Sequence, residues 1–511
     1  MRLKVPALAL FASCAFALSA PALAQKSGGT VVIAMTQAPP SLDPHVTSAQ
    51  VARNVNLQMF ETLYARDENA KAVPDLAEGV KISDDGRSYV FALRKGVKFH
   101  NGKEMTGADA AASLERYRKV GASAALLGQV DSVSATGAYE VTVKLKSVQS
   151  NFLDNLSSPR APIAILPAEE AAKEGGKASP IGTGPFKFVE YKPDSHVTIE
   201  KFADYTQNTA YQGRDGFAGR KVVHVDKVTF RFMPEAGARN AALEAGEIHL
   251  NETADGPTAK RLKANAKLAI YPVLPFAFQV VKFNHAMAPG NDVNFRRAVH
   301  LALDMEEIMA IAYPDIYLLD HGWVWPNSSF NAGDTGKAMY NAKNAGAAKE
   351  ALAKSSYKGE ELTYIVDNTR PNVDVATVMQ QQLAAIGIKL KLSVADWPTV
   401  SKIGFTPQGW QFWTHGFGIE PFEGPASVMQ PWVGGNSQQA KDPVIDGLYE
   451  KFGAEMNEGN RKAIFAEFQK HMLENAVAVK TGSYGIFQIG SASLKNFQPY
   501  RIPRMWGVWL E

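Results

Sequence analysis

The chain has 511 residues, a formal charge of +3, 46% hydrophobic residues and 21% charged residues. This composition is typical of a globular protein, and the length indicates two or three domains rather than one. Charges of both signs are interspersed along the chain, and no basic stripe is present. The sequence therefore argues against a protein that binds nucleic acid.

Residues 1–24 are predicted to be a secretory signal peptide. Arg2 and Lys4 precede an apolar run, and Ala22 and Ala24 form a small-x-small cleavage site before Gln25. The run is too short to cross a bilayer, so we expect a periplasmic mature chain rather than a membrane span. Removing this segment lowers the formal charge to +1.

The single cysteine, Cys14, lies inside this segment. A lipoprotein signal is the alternative interpretation, because Cys14 follows two small residues. Against it, Phe11 stands where such signals carry Leu, and apolar residues continue beyond Cys14. Cleavage after Ala24 leaves no cysteine, which excludes disulfides and thiolate metal sites from the mature chain.

Strand and helix patterns alternate along the rest of the chain, which predicts an α/β fold. In chain order the predicted elements are strands at Thr30–Met35 and Tyr89–Leu93, a helix at Gly107–Val120, strands at Tyr139–Leu145, Val197–Ile199 and Val228–Phe232, a helix at Asn294–Tyr313, a strand at Leu362–Val366, a helix at Val373–Ile386, a strand at Ile388–Val394 and a helix at Asn460–Leu473. Gly387 is predicted to end the helix before it.

The sequence lacks the common catalytic and metal-binding motifs. The segment from Gly96 to Lys103 has five residues between its glycines and no following Ser or Thr, so it is not a phosphate loop. No His-Glu-x-x-His pair and no Gly-x-Ser-x-Gly turn are present. These absences argue against a zinc site and against a hydrolase of the nucleophile-elbow class.

Several segments, in order, resemble the family 5 extracytoplasmic solute-binding proteins, which include dipeptide-, oligopeptide- and nickel-binding proteins. They are 28–34, 41–45, 60–64, 74–78, 91–103, 182–186, 295–304 and 380–388. The resemblance implies a type II periplasmic-binding fold, in which two lobes close over a ligand and a third subdomain is inserted in the first lobe.

By this resemblance we expect lobe I at 27–72, 181–277 and 483–511, the inserted subdomain at 73–180, and lobe II at 278–482. Chain crossings at 278–284 and 479–484 are expected to form the hinge. The partners implied are a small-molecule or peptide ligand and the membrane permease subunits of an ABC importer. We expect a monomer without cofactor or metal.

Two charged residues are candidates for binding a zwitterionic ligand. Arg370 follows a predicted strand and precedes a helix, where its planar fork could pair with a ligand carboxylate, although a solvated surface arginine is equally compatible with the pattern. In peptide-binding relatives, an aspartate in a Gly-Trp-x-x-Asp segment binds the peptide ammonium. Here Phe417 replaces that tryptophan and Glu420 replaces the aspartate, which leaves the ligand class open.

The remaining candidates are expected to line the cleft. Trp397 corresponds to a pocket aromatic of relatives, and Pro185 and Phe186 are expected to face it from lobe I. Leu42 and Asp43 lie in a turn after the first strand that could border the cleft, with a structural turn as the alternative. The sequence thus predicts a solute-binding protein, and a periplasmic enzyme on the same fold is the alternative.

Overall fold

The computed structural model describes residues 27–417 and 424–511, with only the backbone described for 415–417. Its strands, numbered in chain order, are β1 Thr30–Met35, β2 Tyr64–Arg66, β3 Ala72–Pro74, β4 Ala77–Ile82, β5 Ser88–Leu93, β6 Val130–Gly137, β7 Glu140–Leu145, β8 Phe186–Lys192, β9 His196–Lys201, β10 Arg214–Asp215, β11 Ala218–Gly219, β12 Lys227–Phe232, β13 Leu250–Ala254, β14 Leu268–Phe283, β15 Tyr317–Leu318, β16 Glu361–Asp367, β17 Lys389–Ala395, β18 Phe412–Phe417, β19 Ala478–Ser491, β20 Leu494–Lys495 and β21 Trp509–Leu510.

The α-helices alternate with these strands. They are α1 Gln50–Met59, α2 Gly107–Val120, α3 Phe152–Leu156, α4 Ala168–Ala171, α5 Ala236–Glu244, α6 Gly256–Leu262, α7 Val293–Ala302, α8 Met305–Ala312, α9 Ala345–Ala353, α10 Arg370–Ala384, α11 Trp397–Gly404, α12 Pro425–Met429, α13 Pro443–Ala454 and α14 Glu458–Glu474. Short 3₁₀ turns lie at 124–127, 337–339 and 430–435.

Local sequence signals explain where several of these elements begin and end. The predicted helix at Gly107–Val120 is confirmed, and Asp109 caps it by accepting a hydrogen bond from the Thr106 N–H at 2.9 Å. Gly387, which follows α10, has a φ of +96° that favours glycine, as expected of a helix stop.

The single helix predicted at Asn294–Tyr313 is wrong, because the structure has two helices there. Leu303 is extended, and the Asp304 carboxylate accepts hydrogen bonds from the Glu306 and Glu307 N–H groups at 3.0 and 3.1 Å. An aspartate that binds backbone N–H groups in this way begins a new helix instead of continuing the old one. The chain therefore turns between α7 and α8.

One large mixed sheet runs through both halves of the molecule. Among the described residues it has eleven strands, in the order β17-β16-β18-β14-β19-β13-β1-β12-β9-β8, with β15 paired to β19. The long antiparallel strands β14 and β19 belong to both halves. The chain crossings predicted at 278–284 and 479–484 thus lie within these two strands rather than in loops.

Separate hydrophobic cores accompany the two halves and the inserted region. The first half buries side chains of β1, β9, β12 and α1 together with the C-terminal residues 494–508. In the second half, one core lies around α7, α8 and α10, and another lies around α13 and α14. A further core is built on a separate four-stranded sheet, β4-β5-β7-β6, within the region expected to be the inserted subdomain.

Candidate functional site

The strand directions place two carboxyl edges opposite each other. In the first half, β1 is parallel to β12 and β13, and β19 is antiparallel to β13. Because β14 is antiparallel to β19, it runs in the direction of β1, toward the second half. There, β18 is antiparallel to β14 and parallel to β16, which is parallel to β17. Strands β1, β12 and β13 of the first half and β16, β17 and β18 of the second half therefore end facing the other half.

A crevice beyond the carboxyl ends of strands is the usual ligand site of open α/β sheets. Along β14, Pro272 lies level with the end of β13, and Phe278 lies level with the end of β18. Because Phe278 is six residues after Pro272 on an extended strand, the two edges are about 20 Å apart along β14. We call the space between the edges the interlobe crevice.

The loops that follow β16 and β17 bring Arg370 and Trp397, two predicted residues of the second half, to one edge. Asp367 is paired with Ala395 at the ends of their strands, and β18 ends beside them at Phe417. Arg370 and Trp397 are the first residues of the helices that follow β16 and β17. They therefore border the interlobe crevice from the same side.

Arg370 is highly exposed, with 91% of its side chain accessible. Its guanidinium lies 3.5 Å from the Asp374 carboxylate, one turn further along α10. An ion pair that exposed is held only weakly. The planar fork can therefore exchange Asp374 for a carboxylate brought by a ligand.

Trp397 contributes an apolar surface to the same edge. It is 45% exposed, and its ring lies 6.1 Å from that of the fully buried Trp413. The Lys282 ammonium lies 4.5 Å from the centre of the Trp413 ring, and burial lowers the pKa of Lys282 to about 7. Aromatic rings thus extend from the interior of the second half to its surface at the edge that also carries Arg370.

Two further predicted residues cannot be placed by their side chains. Phe417 ends β18 with its backbone paired to Phe278, and its side chain lies outside the described residues. Glu420 also lies outside the described residues.

The predicted contact of Asp43 with ligand is wrong, because Asp43 faces the interior, whereas Leu42 beside it is partly buried. Asp43 is 2% exposed, and its carboxylate binds the Arg116 guanidinium through two hydrogen bonds of 3.0 and 2.6 Å. It also accepts from the His45 and Gly176 N–H groups. Leu42 packs against the core of the first half. This turn is therefore structural, which was the alternative interpretation of its sequence.

Pro185 and Phe186 do not face Trp397 across the crevice. Phe186 is completely buried in the core of the first half, and Pro185 is buried beside it. The Pro185 carbonyl accepts a hydrogen bond from the Phe202 N–H at 2.9 Å. Phe186 begins β8 at the outer end of the sheet, far from the crossing strands, and this position makes it a packing residue.

On the first half, the carboxyl edge carries a buried acid that sequence reasoning missed. Glu252 of β13 accepts hydrogen bonds from the Asn54 side chain and from the Thr36 backbone N–H, next to the end of β1. Burial raises the pKa of Glu252 to about 7. Strand β13 has five residues, LNETA, and these do not alternate between apolar and polar. The sequence pattern therefore did not predict the strand that places Glu252 at this edge.

A small cavity of about 140 Å³ lies where the crossing strands leave the first half. It is lined by Glu68 and Tyr500 of the first half, by Val273 of β14 and by Trp325 of the second half. At the same place, the pairing of β14 with β19 shifts register between Val273 and Ala277. The walls of this cavity therefore come from both halves and from the strands that join them.

Three of the motifs that carry the family resemblance, 60–64, 74–78 and 182–186, meet at a buried ionic cluster. The Lys221 ammonium lies 2.7 Å from the Glu61 carboxylate and 3.4 Å from that of Asp75, and all three side chains are at most 4% exposed. Glu61 also accepts from the Thr183 hydroxyl at 3.0 Å and from the Tyr205 hydroxyl at 2.8 Å. We call Glu61, Asp75, Thr183, Tyr205 and Lys221 the buried ionic cluster. It ties the first half to the inserted region.

No helix within residues 27–417 and 424–511 combines the length and the apolar character that a membrane span requires. In the same part of the chain, no group of three or more His, Cys, Asp or Glu side chains is arranged to hold a metal ion.

The chain is similar in sequence to curated solute-binding proteins. The chain is 29% identical over 450 residues to the oligopeptide-binding protein AppA of Bacillus subtilis, covering 79% of this chain and 77% of that protein. It is 27% identical over 373 residues to the glutathione-binding protein GsiB of Pectobacterium atrosepticum, covering 71% and 69%.

Among solved structures, the ABC transporter substrate-binding protein CtaP of Listeria monocytogenes superposes with a TM-score of 0.83 at 22% identity, covering 95% of this chain and 100% of that one. This likeness confirms the predicted type II periplasmic-binding fold. The model of the bacterial extracellular solute-binding proteins, family 5, matches residues 71–439, which is more than half of the chain. The chain therefore belongs to the family 5 bacterial extracellular solute-binding proteins.

Proposed function

We propose that the chain is the substrate-binding component of an ABC importer and that it captures a peptide, or another small zwitterionic solute, in the interlobe crevice. The observation that carries this proposal is the pair of facing carboxyl edges joined by the continuous strands β14 and β19. Two edges joined in this way can move toward each other by bending of the two strands alone.

The proposed lobes follow the separate cores. Lobe I comprises 27–72, 181–277 and 483–511, the inserted subdomain 73–180, and lobe II 278–482. The register shifts of β14 and β19 lie between Val273 and Ala277 and between Gln279 and Val280, so we place the hinge at these positions. The hinge thus begins a few residues before the crossing expected from the sequence.

The crevice suits a ligand that carries both charges. Arg370 offers an exposed guanidinium for a carboxylate, and Trp397 offers an aromatic wall beside it. Glu420, three residues after the end of β18 in the sequence, is the proposed counter-charge for an ammonium group. Relatives named for oligopeptide and for glutathione support a peptide-like ligand.

Transport requires that the ligand favour one arrangement of the lobes. A solute that contacts both edges binds the closed form more tightly and shifts the population toward it by that difference in affinity. The permease subunits then recognise the closed form. No chemical step is needed, and the proposed site of action is the periplasm, after removal of residues 1–24 from a monomeric chain.

The decisive experiment is mass spectrometry of the ligand recovered from the purified protein, followed by rebinding to protein stripped by unfolding and refolding. We expect one equivalent of an unchanged zwitterionic compound. Conversion of that compound into a product during rebinding would contradict the proposal and support a periplasmic enzyme on this fold.

A further inference from the structure

A buried chain of side-chain hydrogen bonds leads from the Arg370 loop to the hinge strands. It starts at Asp367, which ends β16 and is 3% exposed. One oxygen of its carboxylate accepts from the Thr369 N–H at 3.0 Å and from the Thr369 hydroxyl at 2.5 Å. The other accepts from the Asn372 side-chain amide at 2.5 Å. These bonds fix both sides of Arg370.

The series of side-chain hydrogen bonds continues to β14. The Asn372 side-chain oxygen accepts from the Gln279 side-chain amide at 2.7 Å, and Gln279 is completely buried. The Gln279 side-chain oxygen then accepts from the Tyr313 hydroxyl at 2.7 Å. Gln279 is the residue of β14 at which the pairing with β19 shifts register.

The last contact reaches the other hinge strand. Tyr313 follows α8, and its ring stacks on the ring of Tyr484 at 4.3 Å with an interplanar angle of 9°. Tyr484 belongs to β19, where it is paired with Ala277 next to the other register shift. The Arg370 loop is therefore connected with both strands at the positions where their pairing is irregular.

In each of these hydrogen bonds, the neighbouring bond fixes which side chain donates and which accepts. An ionised carboxylate only accepts hydrogen bonds, so Asn372 must turn its NH₂ group toward Asp367 and its oxygen toward Gln279. Gln279 must then turn its NH₂ group toward Asn372 and its oxygen toward Tyr313, whose hydroxyl donates. The amide at position 279 satisfies both neighbours, because it donates at one end and accepts at the other.

We infer that Gln279 is a positioning residue that couples the Arg370 loop to the bending of the hinge strands. This inference rests on the proposed function, because it assumes that the lobes move. A ligand carboxylate that pulls on Arg370 displaces the loop, and the fixed bonds transmit the displacement to β14 and β19. In the same way, hinge bending alters the position of Arg370.

The test is Gln279→Met, which keeps a similar side-chain length but removes both the donor that faces Asn372 and the acceptor that faces Tyr313. The matched control is Gln469→Met, since Gln469 is also completely buried in lobe II, donates to the Thr335 carbonyl at 2.9 Å and accepts from the Trp323 backbone N–H at 3.2 Å. Interlobe distances are measured by single-molecule fluorescence with dyes at Lys263→Cys and Lys349→Cys in the chain without residues 1–24, which contains no other cysteine, without ligand and with the ligand recovered from the purified protein.

We expect Gln279→Met to change the open–closed equilibrium constant by about fivefold or more, and Gln469→Met by less than about twofold. Equal effects of the two variants would overturn the inference. If Gln279→Met does not fold, Tyr313→Phe decides, because it removes only the last hydrogen bond, and an unchanged equilibrium would overturn the inference. A single interlobe distance in the unmutated protein under both conditions would instead contradict the proposed function itself.

Discussion

The Asp43 carboxylate and the Arg116 guanidinium meet through two parallel hydrogen bonds of 3.0 and 2.6 Å, with side chains that are only 1% and 2% exposed. Asp43 follows β1, and Arg116 lies on α2 of the inserted subdomain. Asp43→Asn leaves the arginine charged in the interior. We expect a loss of about 3–5 kcal/mol in chemical denaturation, which is the cost of a buried charge without its partner.

The same pair gives a pH dependence with a definite sign. Burial alone would raise the pKa of Asp43, but the Arg116 hydrogen bond and charge outweigh it and lower the pKa below its ordinary value. A lowered pKa contributes stability above the unfolded value that is lost as the pH falls through the folded value. Asp43→Asn should therefore flatten the acid limb of the stability profile below about pH 4, whereas Glu244→Gln, at an exposed pair with Arg261, should leave it unchanged.

The motifs that revealed the family identify packing residues more than binding residues. Glu61 and Asp75 are visible in the sequence as members of motifs, but their partner Lys221 lies 160 and 146 positions away. Nothing local in the sequence indicates such a pair. The same limit explains why Asp43 and Phe186, which belong to motifs, were expected at the crevice and lie in the interior.

Positions set by strand order were easier to predict. A strand followed by a loop and a helix indicated the place of Arg370, and the parallel pairing of β16 with β17 brings Trp397 to the same edge. By contrast, β14 contains Pro272 and Pro275 and is buried over most of its length, so it lacks the alternation that predicts a strand. The full extent of the crossing strands therefore required the structure.

In the buried ionic cluster, we expect the charge of Asp75 to be dispensable for folding stability and that of Glu61 to be required. Burial raises the pKa of Asp75 to about 6, with a further increase from Glu61 and an opposing effect of Lys221. A raised pKa means that the folded state binds a proton that the unfolded state does not, so folding stability falls as the pH rises through about 6. We expect Asp75→Asn to raise the melting temperature at pH 7.5 and to have a smaller effect at pH 5.

Glu61→Gln is the contrasting variant. Its carboxylate is the nearer partner of Lys221, at 2.7 Å compared with 3.4 Å for Asp75, and it also accepts from Thr183 and Tyr205. Loss of this charge should lower the melting temperature at both pH values. A decrease of similar size for Asp75→Asn at pH 7.5 would contradict the distinction between the two acids.

Hydrogen bonds join the proposed inserted subdomain to the proposed lobe II at Ser150, away from the crossing strands β14 and β19. The Ser150 N–H donates to the Gly453 carbonyl at 2.9 Å, and the Arg461 guanidinium donates to the Ser150 carbonyl at 3.2 Å. Arg461 lies between the rings of Phe330 and Phe452, at 5.5 and 5.8 Å from their centres. Arg461→Met keeps the apolar contacts and removes the donor, so hydrogen exchange at residues 149–152 should become faster.

The control for this variant is Lys470→Met on the same helix, because Lys470 is exposed and only loosely paired with Glu474 at 3.9 Å. Exchange at residues 149–152 should be unchanged in that protein. Protection that is equal in Arg461→Met and in the unmutated protein would show that the subdomain is held without this bond.

Replacing Arg370 should lower the affinity for ligand without lowering the stability of the fold. Because 91% of its side chain is exposed and its ion pair with Asp374 is 3.5 Å long, Arg370→Ala should change the free energy of unfolding by less than about 0.5 kcal/mol. If the guanidinium binds a ligand carboxylate in the closed crevice, the same change should weaken binding of the recovered ligand at least about tenfold, mainly through faster dissociation. Calorimetry on Arg370→Ala and on Arg261→Ala, an exposed arginine of lobe I, separates the two effects. Equal affinity in both variants would exclude Arg370 from the site and direct attention to Glu420.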